Sequence, residues 1–109
     1  MSRNVDELLD ELRREEPADL SIERSPRTTE VKVGEETIAR IDEQQEELVV
    51  YAPADTHARL QAEYPDARPD PAGIAFDLRN GEQKADGHAL LRKRARVQRV
   101  GWQYRERSP

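Results

Sequence analysis

The chain has 109 residues, 35% of them hydrophobic and 38% charged, with no cysteine and a formal net charge of −5. That length fits one domain, large enough to bury a core without cross-links, and the missing cysteine excludes a disulfide framework or a thiolate zinc site. The first residues, Met1 to Glu7, hold no apolar signal-like stretch, and no apolar run approaches ~20 residues. A soluble cytoplasmic protein with no membrane segment is therefore expected.

Helix one comes first. Val5, Leu8, Leu9 and Leu12 follow the i, i+3, i+4, i+7 template. Asn4 with Glu7 reads as a capping box, Asp6 and Glu7 suit the positive end of the helix, and Asp10 with Arg14 makes an i, i+4 pair. Pro17 stops the helix by Glu15 or Glu16.

Extended segments follow. Leu20-Ser21-Ile22 alternates weakly, and Thr29, Val31 and Val33 alternate with Glu30 and Lys32. Val33 to Glu36 reads as a turn, and Thr37 to Ile41 as the returning strand. Leu48 to Ala52 lacks alternation and should be the most buried strand. Pro53 breaks it. Asp55 should cap a helix to about Glu63 with Ala58 and Leu60 inward, closed by Tyr64-Pro65.

Residues 66–72 read as a Pro-rich loop. Ile74, Phe76 and Leu78 give a further strand, and Asn80-Gly81 a turn. A last helix should start near Lys84–Gly87, present Leu90, Leu91, Ala95 and Val97, and end near Gln98. Val100, Trp102 and Tyr104 then alternate, which predicts a short strand or extended tail. Residues 1–3 and 106–109 should fray.

The elements predict a single α+β domain in the order α-β-β-β-α-β-α, with a further C-terminal strand an option. Its centre would be an antiparallel sheet, a β-meander plus one strand, with helices packed on one face. The segments Thr37 to Ile41, Leu48 to Tyr51, Leu60 to Pro65, Gly73 to Leu78 and Ala89 to Leu91 carry this pattern. Over residues 28–98 it resembles small bacterial domains of the MmcQ/YjbR type and the YdhG-like type. Those domains are similar in shape to frataxin-like ones, and members have been described as DNA-binding or iron-handling. The resemblance implies the fold and carries over no functional residue.

Charge is the strongest functional signal. Residues 1–91 hold 11 Lys and Arg against 22 Asp and Glu, whereas residues 92–109 hold seven basic residues against Glu106 alone. Arg92, Lys93, Arg94, Arg96 and Arg99 lie close to Trp102 and Tyr104. Basic groups neutralise phosphates and aromatics stack on unpaired bases, so this segment could contact nucleic acid. It could equally meet an acidic protein surface, or complement the acidic body of its own chain or of a second copy. Trp102 and Tyr104 could instead be core. Fifteen arginines to three lysines is a bias that GC-rich coding produces, so no single Arg is read as chosen for its planar fork.

Other candidates are thinner. Asp6, Glu7, Asp10, Glu11, Glu15 and Glu16 give helix one an acidic surface that could weakly hold a hard cation. His57 and His88 could act as bases or ligands, or be ordinary boundary residues. The serines occupy no nucleophile-elbow context, and five glycines are too scattered to cradle phosphate. The sequence therefore favours a non-catalytic binding module with no cofactor. Metal handling, or a small enzyme working in a cleft beside the sheet, is the alternative.

Overall fold

The structure is a computed structural model that describes residues 3–15 and 20–107, with side chains over 3–14 and 20–97. Residues 1–2 and 108–109, which belong to the ends expected to fray, lie outside it, whereas Arg3 and residues 106–107 are helical.

Helix α1 spans Arg3–Glu15. Its predicted stripe is the buried one: Val5, Leu8, Leu9 and Leu12 are at most 1% exposed. The capping box does not form, because Asn4 lies inside the helix and its Nδ2 donates to Glu46 Oε1 at 3.0 Å. Arg14 also misses the Asp10 carboxylate: its Nε donates to the Asp10 carbonyl, and Arg13 approaches the carboxylate at 3.7 Å instead.

Strands β1 (Leu20–Arg24), β2 (Thr28–Val33), β3 (Glu36–Asp42) and β4 (Glu47–Tyr51) form an antiparallel meander. The β2–β3 turn uses Gly34 at φ 60°, where a side chain would be strained. Glu46 takes φ 52° before β4. Its carboxylate accepts from Asn4, and its carbonyl accepts from Leu78 N at 2.8 Å. These bonds hold the strained turn in place.

After β4 the chain makes a short 3-10 turn (Ala54–Thr56) and helix α2 (His57–Glu63). No side chain caps either start, so the expected Asp55 cap is absent. Leu60 is buried as predicted, while Ala58 is exposed. Strand β6 (Gly73–Asp77) then pairs with β4, and β5 (Arg68–Asp70) pairs with β6 at the sheet edge. The order is β1-β2-β3-β4-β6-β5, antiparallel throughout.

Strand β5 lies inside the segment read as a loop. It has three residues centred on Pro69, and an edge position tolerates a residue with no N–H to give.

Helix α3 spans Gly81–Arg107. It begins before the expected start, because the Asn-Gly pair is a cap: Asn80 Oδ1 accepts from the amides of Glu82 and Gln83 at 3.0 and 3.2 Å. It also runs past Gln98, so the C-terminal strand does not exist. Val100, Trp102 and Tyr104 carry β-favouring character, but no neighbouring strand takes them up.

The core lies between one sheet face and the helices. Ile41, Leu48 and Phe76 are adjacent in cross-strand register, as are Val31, Ala39, Val50 and Ile74. All are at most 2% exposed and belong to one cluster with the α1 stripe, Leu60, Leu90, Leu91 and Ala95. Tyr64 meets Phe76 edge-on with ring centroids 5.4 Å apart.

The other face carries charge. Asp42, Glu47 and Asp77 lie opposite one another across β3, β4 and β6, a repulsive row. Arg68 reaches Glu47 at 2.6 Å, Arg79 reaches Asp77 at 3.1 Å, and Asp42 turns to the amides of Gln44 and Gln45.

Two glycines permit close approach. A Cβ on Gly73 would lie 1.9 Å from the Val50 carbonyl oxygen, and a Cβ on Gly87 would lie 3.0 Å from Leu48 Cδ2 and Phe76 Cγ. Gly73→Ala must move β6 away from β4. It should lose about 3 kcal/mol or more in urea unfolding, above the usual overpacking range. Gly87→Ala would press on Cβ and Cγ of the fully buried Phe76, so that α3 must shift; even with helix propensity in its favour it should cost about 1–3 kcal/mol by the same measurement.

Candidate functional site

The structure divides the predicted basic patch among several sides of α3. Each residue advances about 100° around a helix. Arg92, Arg96 and Arg99 (i, i+4, i+7) therefore share one stripe, Lys93 lies outward of it, and Arg94 lies round toward α2. Arg92 is half-buried and follows Lys84 and His88 at four-residue spacing. Those two reach α1: Lys84 Nζ lies 2.6 Å from Glu7, and His88 Nδ1 lies 3.3 Å from Glu11. Arg94 is half-buried, and its Nε donates to the Tyr51 carbonyl at 3.1 Å, at the end of β4. Lys93 and Arg96 are exposed, next to Val97 at 60% exposure. Val97 therefore does not join the core as predicted.

The side chains of Arg99, Trp102 and Tyr104 lie outside the described residues, so whether the two aromatics are core or surface falls there too. Their backbone is helical. A strand would have put Trp102 and Tyr104 on one face, whereas positions two apart on a helix are about 200° apart. Trp102 continues the line of Leu91 and Ala95, and Tyr104 that of Leu90 and Val97.

Where α2 passes α3 the two helices flank a groove of about 430 Å³. Thr56, just before α2, and Arg59, Leu60 and Glu63 on it approach from one side, and Leu90, Lys93, Arg94 and Val97 from α3. Both sets follow i, i+3, i+4, i+7, the spacing of one helix face. Val50 and Ala52 at the end of β4 make the floor. The groove therefore has an apolar base of Val50, Ala52, Leu60 and Leu90 and a rim of three cations against Glu63. Sequence reasoning found Leu60 and Lys93 separately. It missed Arg59 and Glu63, although their repeat around Leu60 was a readable signal.

The remaining charged clusters are internal. Arg24 reaches Glu43 through Nη2 at 2.6 Å and Nε at 2.9 Å, and Asp6 at 2.7 Å. Glu43 also accepts from Thr29 Oγ1 at 2.8 Å, and Thr29 is fully buried. This chain of bonds ties α1 to the β1–β2 and β3–β4 turns and borders a cavity of about 940 Å³. The Arg24 guanidinium, with help from Thr29, holds the Glu43 carboxyl below its ordinary range. Lys84 and then Arg3 do the same for Glu7, and the backbone N–H and guanidinium of Arg79 for Asp77.

Part of the acidic surface of α1 is thus matched by cations, Arg24 for Asp6, Arg3 and Lys84 for Glu7 and Arg13 near Asp10, and Glu11 has His88 beside it. Glu15 and Glu16 contribute no described side chain. His57 Nε2 lies 2.8 Å from the Ala52 carbonyl at the foot of α2. Among the described residues no three His, Asp or Glu side chains converge as metal ligands, and no helix is long and apolar enough to cross a membrane.

Comparison of the chain with protein-family models, with curated proteins and with solved structures gives no match.

The Glu43 network sets an acid dependence. A carboxyl with a depressed folded pKa contributes stability above the ordinary value of about 4.3 and loses it as pH falls through the folded pKa. Glu43→Gln should therefore be less stable than the parent at pH 7, with the gap closing below about pH 4. Arg24→Ala should cost about 1–3 kcal/mol at pH 7, because Glu43 and Asp6 lose their partner. Urea midpoints across pH 3–7 check both.

Proposed function

We propose that this protein is a non-catalytic interaction module, and that its contact surface is the outward and α2-facing side of α3, which takes an acidic partner. The observation that carries this reading is the placement of Lys93 and Arg96, exposed on α3 beside a largely exposed Val97. Most other basic side chains near the body are committed: Arg24, Arg68, Arg79 and Lys84 all hold carboxylates. Lys93 and Arg96 face solvent in a chain whose first 91 residues carry a large acidic surplus.

An exposed apolar residue between cations favours a protein partner over a nucleic-acid backbone, which calls for cations without apolar company. The carboxylates with clear pKa shifts are all pushed down by cationic or N–H partners, the opposite of what a general acid needs. A cytoplasmic location and kinship with MmcQ/YjbR-type or YdhG-like domains are part of the same proposal, the kinship resting on the sequence pattern of residues 28–98.

Trp102 is the single tryptophan and lies on this helix, so its fluorescence reports binding. Polyglutamate at low salt should give a saturable change that weakens as salt rises. The double variant Lys93→Glu/Arg96→Glu should keep its circular dichroism and lose about tenfold or more in affinity. Saturable binding of single-stranded or duplex oligonucleotides with no response to polyglutamate would move the reading to nucleic acid. No response to any polyanion would end it.

A further inference from the structure

The geometry points to a specific occupant for the groove between α2 and α3. We propose that it docks an acidic amphipathic helix of another protein, whose apolar stripe covers Ala52 and Val97 above Leu60 and Leu90 while its carboxylates meet the rim. The inference rests on the reading of α3 as the contact surface and names what that surface recognises.

Three features select this occupant. The floor is apolar and already built: Val50, Leu60 and Leu90 are at most 7% exposed and form part of the core cluster. Their small remaining surface is fixed, and the apolar area an occupant would cover comes mainly from the half-buried Ala52 and the exposed Val97 beside them. The rim supplies Arg59 on α2 and Lys93 and Arg94 on α3, against Glu63. This inverts the sign of the acidic body, so a negatively charged segment is steered here and away from the rest of the molecule.

The third feature is length. Each wall presents residues from i to i+7, a rise of about 10 Å along its helix. Beyond Val97, α3 continues as helix to Arg107, ten further residues. A compact ligand would use only the groove, whereas a helix lying along α3 can follow it outward. A helix laid in such a groove is read through its own anchors at i, i+3, i+4 and i+7.

A second copy of this chain fits less well. An α3 brought to this groove would set the basic residues of one segment 92–107 against those of the other. An α1 brought there would offer acids already paired within its own chain.

The test uses the full chain and a synthetic helical peptide of about 14 residues, Leu at one i, i+3, i+4, i+7 stripe and Glu elsewhere. A second peptide of the same composition has the stripe scrambled. Methyl shifts of Leu60, Leu90 and Val97 and fluorescence anisotropy read binding. The striped peptide should bind about tenfold or more tightly than the scrambled one and shift these methyls. Val97→Glu and Arg59→Glu, both at exposed positions, should each weaken it about fivefold or more with the fold intact. Equal binding of the two peptides would overturn the groove proposal and leave the basic face of α3 as a charge-only surface. Binding of neither would overturn both readings.

Discussion

At Gly87 the backbone of α3 comes against Phe76 and Leu48 with no Cβ between them. Phe76 is fully buried, is flanked in register by Leu48, and receives Tyr64 on its edge. This seat fixes the height and rotation of α3 over the sheet. Once Gly87 faces Phe76, Leu91 and Ala95 must follow it inward, and Leu90 must turn toward α2. The rotation also decides which cations are used up. Lys84 and His88 fall toward α1, Arg94 toward the end of β4, and Lys93 and Arg96 toward solvent. The exposed charge is thus a by-product of how the helix is seated.

The same logic explains why α1 makes a poor acidic site. It lies beside α3 with acids at four-residue spacing facing a basic residue and a histidine at four-residue spacing. Glu7 meets Lys84 and Glu11 meets His88. Exposed pairs of this kind contribute little stability each. Their effect is to set the register of two helices and, at Glu7, to offset charge on a surface that looks strongly acidic in the linear sequence. Charge read along a chain overstates charge presented to solvent wherever two elements of opposite sign pack side by side.

The apolar periods were the legible part of the fold. The α1 stripe, the alternation in β2 and the continuous run in β4 each follow from one-face or two-face burial, and each is where it was expected. What escaped was set by partners distant in sequence. Asn4 would cap an isolated helix, but here it binds Glu46 in a turn 42 residues away. Strand β5 is too short and too rich in proline to announce itself, and exists because β6 offers it an edge. The tail from Val100 to Tyr104 alternates like a strand but continues as helix, since no strand in the sheet pairs with it. The candidate site was half visible. Its cations stood out by charge, whereas its groove required knowing that two short repeats, on α2 and α3, come together.

Strand β5 also bears on how this sheet behaves in a crowded cell. Every open sheet has two edges, and each is a template on which another chain could add a strand. One edge here is three residues long and centred on Pro69, which has no N–H to offer an incoming backbone. A short strand with one N–H missing is a poor template, independently of charge. The opposite edge, β1, has five residues including Glu23 and Arg24, with Arg24 held by Asp6 and Glu43. The two edges are therefore unequal toward strand addition: β5 offers three residues, one of them without an N–H, whereas β1 offers five.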